Sequence, residues 1–429
     1  MSDDRTWGVL ASQSTEDALR NHIAGSADEF HADVAAREIH WQHPSCGAWL
    51  AREDGNDWLG WSSRGEATGI EADCWTPWQS VLDESAAPYY KWFTGGQTNA
   101  CFNLVDRHLL LGRADKTAII FEGDRWDPSK NSGRGGPVTE QHFSYRKVFE
   151  EIIARMQVLR DLGLNKGDRI AFNLPNIPEQ IFYMLAAQRM GVVYTPVFGG
   201  FSAKTLSDRI HDAGAKLVIT ADGGYRNAEV VGYKGTYADP ALDNYIPRET
   251  ALATLKAVLE TYDLGDLADT LYSDVNSALA GEITLERSDV MRELGASLAS
   301  QNAIAPELTA ELRTAVARQL ADAKHNVENV IVVEYTGQEV VEHARDSWSN
   351  DLVASAKATI AKHLGVTDFE TLISEEPAAL WAKLNAVLSV ESVDSNFPLF
   401  IIYTSGSTGK PKGVVPVSYT HLRAHETLP

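Results

Sequence analysis

The stretch with the most obvious capacity for chemistry lies near the end of the chain, at residues 400–415. It begins with the apolar run Phe400-Ile401-Ile402, which is typical of a buried strand. Backbone N–H groups of a glycine-rich loop can converge on an anion, while hydroxyls donate further hydrogen bonds and lysines add charge. This composition therefore predicts a polyphosphate-binding loop, with these candidate residues: Thr404, Ser405, Gly406, Ser407, Thr408, Gly409, Lys410 and Lys412.

Two alternatives compete with this interpretation of the loop. A flexible glycine- and serine-rich surface loop would have a similar composition, but the apolar strand before it and the paired lysines disfavour that view. The P-loop of nucleotide hydrolases has the pattern G-x-x-x-x-G-K-[ST]. Here Thr404 stands where its first glycine belongs, and Pro411 follows Lys410 in place of serine or threonine. The loop is therefore a phosphate-binding device of another kind.

Residues 403–413 closely resemble the Y-T-S-G-[ST]-T-G-x-P-K-G signature of the AMP-forming acyl-CoA synthetases, members of the adenylate-forming superfamily. The resemblance implies ligation in two steps. A small-molecule carboxylate attacks the α-phosphorus of ATP, which is bound with Mg²⁺, and the thiol of CoA then displaces AMP from the acyl-adenylate. The resemblance assigns the loop to the β- and γ-phosphates of ATP. It assigns no catalytic residue and no metal ligand within this chain.

A second dense block lies at residues 89–108 and includes Asp106-Arg107-His108. A catalytic role for this triplet is one interpretation. The favoured interpretation is a turn and helix that pack aromatic side chains while Asp106 and Arg107 pair. The block resembles the Y-x-W-F-x-G-G-x-x-N-x-x-x-N-x-x-D-R-H pattern of acetyl-CoA synthetase-like enzymes, in which it is mainly structural. That resemblance narrows the expected activity to short-chain acids.

Short strands alternate with helices between residues 118 and 220, which favours β-α-β units and a mostly parallel sheet. Capping signals at Ser144, Pro178, Gly191 and Ser202 mark helix ends. We therefore predict an α/β fold. The resemblance specifies it further, as an incomplete large N-terminal domain of the adenylate-forming fold with a helical insertion.

Two loops at predicted strand ends carry further candidate residues. Gly199 and Gly200 precede a helix N-terminus, and Arg226 follows a strand at the edge where α/β sheets bind ligands. Resemblance to acetyl-CoA synthetase implies that Arg226 binds the nucleotide phosphate of CoA. The family commonly has a second basic residue three positions on, where this chain has Glu229. A surface ion pair remains the alternative role for Arg226.

The predicted organisation has five parts. Residues 1–85 form an N-terminal extension, 86–245 the first part of the large domain, 246–326 a helical insertion, 327–415 the continuation of the large domain, and 416–429 a non-native tail. Arg125-Trp126-Asp127, the loop 132–137, residues 225–229 and the insertion together resemble the ligase portion of propionyl-CoA synthases. Those enzymes convert 3-hydroxypropionate to propionyl-CoA and carry dehydratase and reductase modules as well.

The family pattern breaks after Val415, so we expect a truncated chain with little or no ligase activity alone. His421 and His425 have helical metal-ligand spacing, but their position in the suspected tail makes a metal site the weaker interpretation. Two alternatives to the propionyl-CoA synthase stay open. One is a stand-alone acetyl-CoA or propionyl-CoA synthetase, and the other is a non-catalytic nucleotide-binding fragment.

Charge and composition exclude several classes of partner. The chain has 38 basic and 59 acidic residues, and the difference of 38 − 59 gives a formal charge of −21. Such acidity disfavours binding to nucleic acid or to anionic lipid. The absence of a long apolar run predicts a soluble, cytoplasmic protein without a membrane span. His40 and His43 lie among tryptophans, where we expect packing roles. Monomer and homo-oligomer both stay open as the state of assembly.

Overall fold

The computed structural model describes residues 27–53, 57–62, 67–70, 75–227, 229–301, 304–323, 325–405 and 411–418. These divide into two compact units. The first comprises Met1–Asp168, Ile177–Tyr194 and Asp351–Pro429, and the second comprises Arg169–Asn176 and Thr195–Asn350. Within the described residues, no helix is long and apolar enough to cross a membrane.

The α-helices, in chain order, are α1 Ala27–Glu38, α2 Arg107–Leu110, α3 Lys130–Gly133, α4 Tyr145–Asp161, α5 Pro178–Met190, α6 Ala203–Ala213, α7 Asp239–Asp243, α8 Arg248–Glu260, α9 Asp266–Ala278, α10 Arg287–Ser300, α11 Pro306–Asp322, α12 Ser349–Leu364, α13 Phe369–Ile373 and α14 Pro377–Val387. Two π-helical turns, Phe102–Asp106 and Lys234–Ala238, run directly into α2 and α7.

The strands, in chain order, are β1 Trp41–Gln42, β2 Trp49–Glu53, β3 Asp57–Trp61, β4 Ala67–Ile70, β5 Ser80–Asp83, β6 Lys91–Thr94, β7 Gln97–Thr98, β8 Thr117–Glu122, β9 Trp126–Asp127, β10 Gly136–Pro137, β11 Glu140–Ser144, β12 Arg169–Asn173, β13 Val193–Pro196, β14 Leu217–Ala221, β15 Gly224–Arg226, β16 Glu229–Val231, β17 Tyr245–Pro247, β18 Thr284–Glu286, β19 Asn329–Val333, β20 Asp346–Trp348, β21 Val393–Asp394, β22 Ile402–Ser405 and β23 Pro411–Val414.

The N-terminal part of the first unit is a small antiparallel sheet built around aromatic side chains. Its strands follow one another in the order β1-β2-β3-β4. Trp41 is fully buried and meets the ring of Trp78 edge-on at 5.2 Å between centroids. Trp49 stacks on Phe102 at 4.3 Å. Edge-on and offset contacts of this kind stabilise aromatic clusters beyond their buried area, so the tryptophans of this region act as core residues.

A buried ion pair lies in the first unit. The side chains of Asp106 and Arg189 are both fully buried and lie 3.0 Å apart. Asp106 also accepts a hydrogen bond from the indole of Trp381 at 2.9 Å. The predicted pairing of Asp106 with Arg107 was therefore wrong, because Arg107 donates to the carbonyl of Glu38. The structural role expected for the triplet nevertheless holds for Asp106.

The parallel sheet has the strand order β13-β12-β14-β19-β20, and β12, β14, β19 and β20 belong to the second unit. β12 pairs with β14, β14 with β19, and β19 with β20, all in parallel. All five residues of β14 are buried, as expected where helices cover both faces of a sheet. The mixed α/β fold with a mostly parallel sheet is thus confirmed.

The predicted helix ends are also confirmed. The hydroxyl of Ser144 accepts from the N–H of Lys147, and that of Ser202 accepts from the N–H of Thr205. Helix α5 begins at Pro178, and Gly191 follows its last residue with φ of 68°. These caps satisfy backbone groups that have no partner inside the helix, which is why they were visible in the sequence.

Residues 246–322 form a helical bundle with its own apolar core. The helices α8, α9, α10 and α11 contribute most of it, including Leu255, Leu271, Leu294 and Leu312, none of which has any exposed surface. The short strands β17 and β18 pair antiparallel and add Ile246 and Leu285 to the same core. The bundle covers nearly the same residues as the predicted helical insertion at 246–326. That it is an insertion into the large domain stays a prediction.

We predict that Asp106→Asn lowers the free energy of unfolding by about 3 kcal/mol, because it leaves the buried charge of Arg189 without its counter-ion. Glu375→Gln is the matched control. It removes a carboxylate from a half-exposed pair with Lys383, so its cost is below about 1 kcal/mol. Urea denaturation of each variant measures the difference. Equal losses in the two variants would contradict the prediction.

Candidate functional site

The predicted phosphate loop lies in a β-hairpin. Strand β22 pairs antiparallel with β23, so that Thr404 faces Lys412 and Ser405 faces Pro411. Directly opposed residues of an antiparallel pair project from the same face, and the hydroxyl of Thr404 and the ammonium of Lys412 therefore share one face. The remaining candidates, Gly406, Ser407, Thr408, Gly409 and Lys410, lie outside the described residues.

Both side chains on that face are exposed. Among the described residues, neither Thr404 nor Lys412 has a side-chain hydrogen bond or an ion pair. An ammonium without a protein partner is free to bind an anion, and a hydroxyl beside it can donate to the same anion. The described part of the hairpin thus presents two groups of the kind that a phosphate requires.

Backbone pairing within the first unit holds the hairpin in place. The N–H of Ile401 donates to the carbonyl of Tyr194 at 2.8 Å, and Phe400 forms a parallel bridge with Tyr194. The two rings stack at 5.5 Å. On the other side, Leu399 donates to the carbonyl of Pro416 at 2.9 Å. Residues 416–418, which we assigned to a non-native tail, therefore pair with residues 397–399 in this structure.

In the second unit, the double glycine after β13 lies where side chains cannot fit. A Cβ on Gly199 would lie 2.2 Å from the hydroxyl oxygen of Tyr233, and one on Gly200 would lie 2.6 Å from the ring of Phe198. Real Cβ atoms do not approach non-bonded heavy atoms this closely. The two glycines are thus needed for the close approach of this loop to Tyr233 and Phe198.

Arg226 lies at the same edge of the sheet as this double glycine. Its Nη1 is 3.5 Å from the position that a Cβ on Gly200 would take. The side chain is exposed, and within the described residues it makes no hydrogen bond or ion pair. Glu229 is its cross-strand neighbour in the β15/β16 pair, yet the two do not form an ion pair. The alternative of a surface ion pair thus receives no support from the geometry.

Three potential metal ligands meet elsewhere in the second unit. One ligand atom from each of Asp239, Asp243 and His343 lies within 4.8 Å of the others. Arg345 binds both oxygens of Asp243 at 2.7 and 2.8 Å, and Lys234 lies 2.9 Å from Asp239. Burial opposes ionisation of Asp243, but the bonds from Arg345 outweigh it and lower the carboxyl pKa. Because lysine and arginine already neutralise these carboxylates, we assign an ion-pair cluster here.

The histidines noted in the sequence have packing roles. His40 is buried against Phe102, with 5.7 Å between ring centroids, and burial lowers its pKa to about 3. His43 packs on Trp75 at 4.8 Å. Burial, followed by the charge of Arg107, lowers the pKa of His108 to about 3. His421 and His425 lie outside the described residues.

The sequence did not reveal the importance of Asp222. This residue follows β14 and is 1% exposed, and its carboxylate accepts hydrogen bonds from the backbone N–H groups of Gly223, Tyr335, Thr336, Gly337 and Gln338. The signal that could have found it is an aspartate between a buried strand and two glycines, since aspartate accepts from nearby N–H groups in turns.

Comparison with known families gives two matches. The AMP-binding enzyme family matches residues 111–337 and 299–424. The family described as acetyl-coenzyme A synthetase N-terminus matches residues 64–104. The first match includes both the described hairpin strands and the parallel sheet, and it extends past Val415.

Three similar proteins are acetyl-coenzyme A synthetases. An acetyl-coenzyme A synthetase of Streptomyces avermitilis is 30% identical over 358 residues, which is 81% of this chain and 36% of that protein. One of Mycobacterium tuberculosis is 31% identical over 384 residues, 89% of this chain and 40% of that protein. One of Wolinella succinogenes is 42% identical over 184 residues, 43% of this chain and 26% of that protein. The chain thus spans well under half the length of these relatives.

We predict that Gly199→Ala lowers the free energy of unfolding by about 1–3 kcal/mol, because the new methyl group overlaps Tyr233 and the loop must shift. Gly235→Ala is the control, since no atom lies within 4 Å of its Cβ position. That change stays within about 1 kcal/mol of the parent. Thermal unfolding of both variants provides the measurement, and equal midpoints would show that the close approach costs nothing.

Proposed function

The chain belongs to the AMP-binding enzyme family, and from this premise we propose that its protein is an AMP-forming acid–CoA ligase. The observation that carries the proposal is the hairpin formed by β22 and β23, on which Thr404 and Lys412 share an exposed face. The two halves of the expected reaction need separate binding groups, one for the polyphosphate of ATP and one for CoA.

In the adenylation step, the carboxylate of the acid attacks the α-phosphorus of ATP, and pyrophosphate leaves. Negative charge grows on the leaving group, so donors fixed around it stabilise the transition state. We assign this task to the hairpin residues Thr404, Ser405, Gly406, Ser407, Thr408, Gly409, Lys410 and Lys412. ATP would bind as its Mg²⁺ complex, and we assign no residue of this chain to the metal.

In the second step, the thiolate of CoA attacks the acyl carbon, and AMP leaves. We assign Arg226 to the nucleotide phosphate of CoA, because its guanidinium is exposed and has no described partner. Arginine matches phosphate geometry with two parallel N–H bonds. We assign Gly199 and Gly200 to CoA binding as well, because their loop precedes the N-terminus of α6 and lies beside Arg226.

For the acid, we propose 3-hydroxypropionate, with the chain acting as the ligase portion of a propionyl-CoA synthase. Support comes from the features named in the sequence analysis, namely residues 125–127, 132–137 and 225–229 and the helical bundle at 246–326. Downstream dehydratase and reductase modules would then complete the conversion. The rate of AMP release with 3-hydroxypropionate, propionate and acetate, measured in the intact gene product, tests this proposal.

A stand-alone acetyl-CoA synthetase is the second candidate, and the names of the similar proteins favour it. Acetate would then be the best of the three acids. A gene whose reading frame ends shortly after a small C-terminal domain would also support this candidate over the propionyl-CoA synthase.

We predict that Lys410→Ala, made in the intact gene product, lowers acid-dependent exchange of pyrophosphate into ATP by on the order of a hundredfold. Thioester formation from supplied acyl-adenylate should change far less, because no pyrophosphate leaves in that step. Lys362→Ala, an exposed lysine near the end of α12, is the control and should leave both rates unchanged. Equal losses in both half-reactions would argue against a phosphate role for the loop.

We also predict that Arg226→Ala weakens binding of CoA by about tenfold, as expected for one charge-assisted hydrogen-bond pair. Glu229→Gln should strengthen it by about twofold, since it removes a negative charge across the strand pair from Arg226. Isothermal titration of CoA into the 429-residue chain measures both. The two variants should change the affinity for CoA in opposite directions. Tighter binding of CoA by Arg226→Ala would contradict the assignment of Arg226 to its phosphate.

A further inference from the structure

The carboxylate of Asp222 connects two loops that lie far apart in the chain. It accepts from its own neighbour Gly223 at 2.6 Å and from Tyr335 at 2.9 Å through one oxygen. The other oxygen accepts from Gly337 at 2.6 Å and Gln338 at 3.1 Å, and Thr336 donates to both oxygens at 3.1 Å. No lysine or arginine among the described residues pairs with it. A ring of backbone N–H groups therefore compensates this buried charge.

The loop at 335–338 also touches the hairpin that carries Arg226. The ring of Tyr225 meets that of Tyr335 edge-on at 5.6 Å. A Cβ on Gly223 would lie 2.4 Å from the hydroxyl of Thr336, and one on Gly232 would lie 3.2 Å from the side-chain oxygen of Gln338. The loop 335–338 thus packs against Tyr225 and lies close to the backbone at the end of the β15/β16 pair where Gly223 and Gly232 flank the two strands.

We propose that Asp222 is a positioning residue for CoA recognition. It holds loop 335–338 against the β15/β16 hairpin, and that loop in turn fixes the direction in which Arg226 presents its guanidinium. The inference rests on the proposed role of Arg226 and deepens it. Asp222 itself is buried and does not touch the ligand.

The role requires a carboxylate and not merely a polar side chain of the same shape. Two carboxylate oxygens together offer about four acceptor sites, whereas an amide has a single acceptor oxygen and an NH₂ group that donates. Asparagine at this position would set its own N–H groups against those of Gly337 and Gln338, or of Gly223 and Tyr335. Either orientation of the amide breaks the hydrogen bonds to one of these two pairs of N–H groups. The loop 335–338 is then no longer held against the β15/β16 hairpin.

The test compares CoA with dephospho-CoA, which lacks the ribose 3′-phosphate, by isothermal titration into the 429-residue chain. The wild-type chain should prefer CoA by about tenfold, as expected for one arginine–phosphate contact. Arg226→Ala should abolish this preference. Asp222→Asn should abolish it too, while affinity for dephospho-CoA changes little. An Asp222→Asn variant that keeps the wild-type preference would overturn the proposal.

Asp346→Asn is the matched control. Asp346 begins β20, its side chain is 5% exposed, and it accepts from the N–H of His343 at 2.7 Å and from Lys234 at 2.9 Å. It is therefore a buried carboxylate of the same sheet, but at the edge where the strands begin. This variant should lose stability and keep its preference for CoA. Loss of preference in Asp346→Asn as well would show that general destabilisation is the cause, and would overturn the positioning role.

Should Asp222→Asn fail to fold, a milder pair of variants decides the question. Gly337 has φ of 73° and no atom within 4 Å of its Cβ position, and Gly365 has φ of 65° with the same open space. Alanine strains both positions similarly, but only Gly337 donates to Asp222. Gly337→Ala should reduce the preference for CoA, and Gly365→Ala should not. Unchanged preference in Gly337→Ala would overturn the proposal.

Acid-dependent exchange of pyrophosphate into ATP separates this inference from the proposed ligase, because that exchange needs no CoA. Exchange by the intact gene product, together with no preference for CoA in the wild-type chain, would leave the ligase standing and overturn the role of Asp222. The protein could instead prefer CoA over dephospho-CoA in a manner that depends on Asp222, yet fail to exchange pyrophosphate into ATP. That result would support the positioning role of Asp222 and contradict the proposed ligase activity.

Discussion

Every buried charge in this protein has to be compensated where it lies, because removing an ion from water costs several kcal/mol unless partners replace the solvent. Asp106 and Arg189 achieve this as a fully buried pair in the first unit. Lys234 does so with Asp239 and Asp346 in the second. Asp222 uses backbone N–H groups instead of a cation. These compensated charges are structural, and they join segments that are distant in the sequence.

The exposed cations of the two candidate sites show the opposite arrangement. Lys412 lies in β23 and Arg226 is the last residue of β15, and neither has a described side-chain partner. The chain carries a formal charge of −21, so its overall field repels anions, and a nucleotide can bind only where local positive charge exceeds that field. An exposed lysine and an exposed arginine supply this local positive charge. Because water solvates both side chains when no ligand is bound, they carry no desolvation cost in the free protein.

Much of the fold could be predicted from local sequence signals, whereas interactions between residues distant in the sequence could not. Ser144, Ser202 and Gly191 act on neighbouring backbone groups, so their caps could be identified from adjacent residues alone. Asp106 instead pairs with Arg189, and Asp222 with residues 335–338. Nothing in the spacing of those residues indicates that the fold brings them together. The predicted phosphate loop lies between these cases. The apolar residues before it predicted a strand, whereas the pairing of Thr404 with Lys412 required the structure.

The helical bundle at 246–322 has an apolar core of its own, but polar contacts connect it to helix α6. Lys204 lies 2.9 Å from Glu282, and Asp208 accepts from the N–H of Thr284 at 3.0 Å. Just beyond the bundle, Ser207 forms a hydrogen bond with His325 at 2.7 Å. Burial lowers the pKa of His325 to about 4, so this histidine is neutral near pH 7. Because α6 begins directly after the Gly199-Gly200 loop, contacts with the bundle fix the same helix that this loop enters. The bundle is therefore connected through α6 to the Gly199-Gly200 loop, in which Gly200 lies near the guanidinium of Arg226.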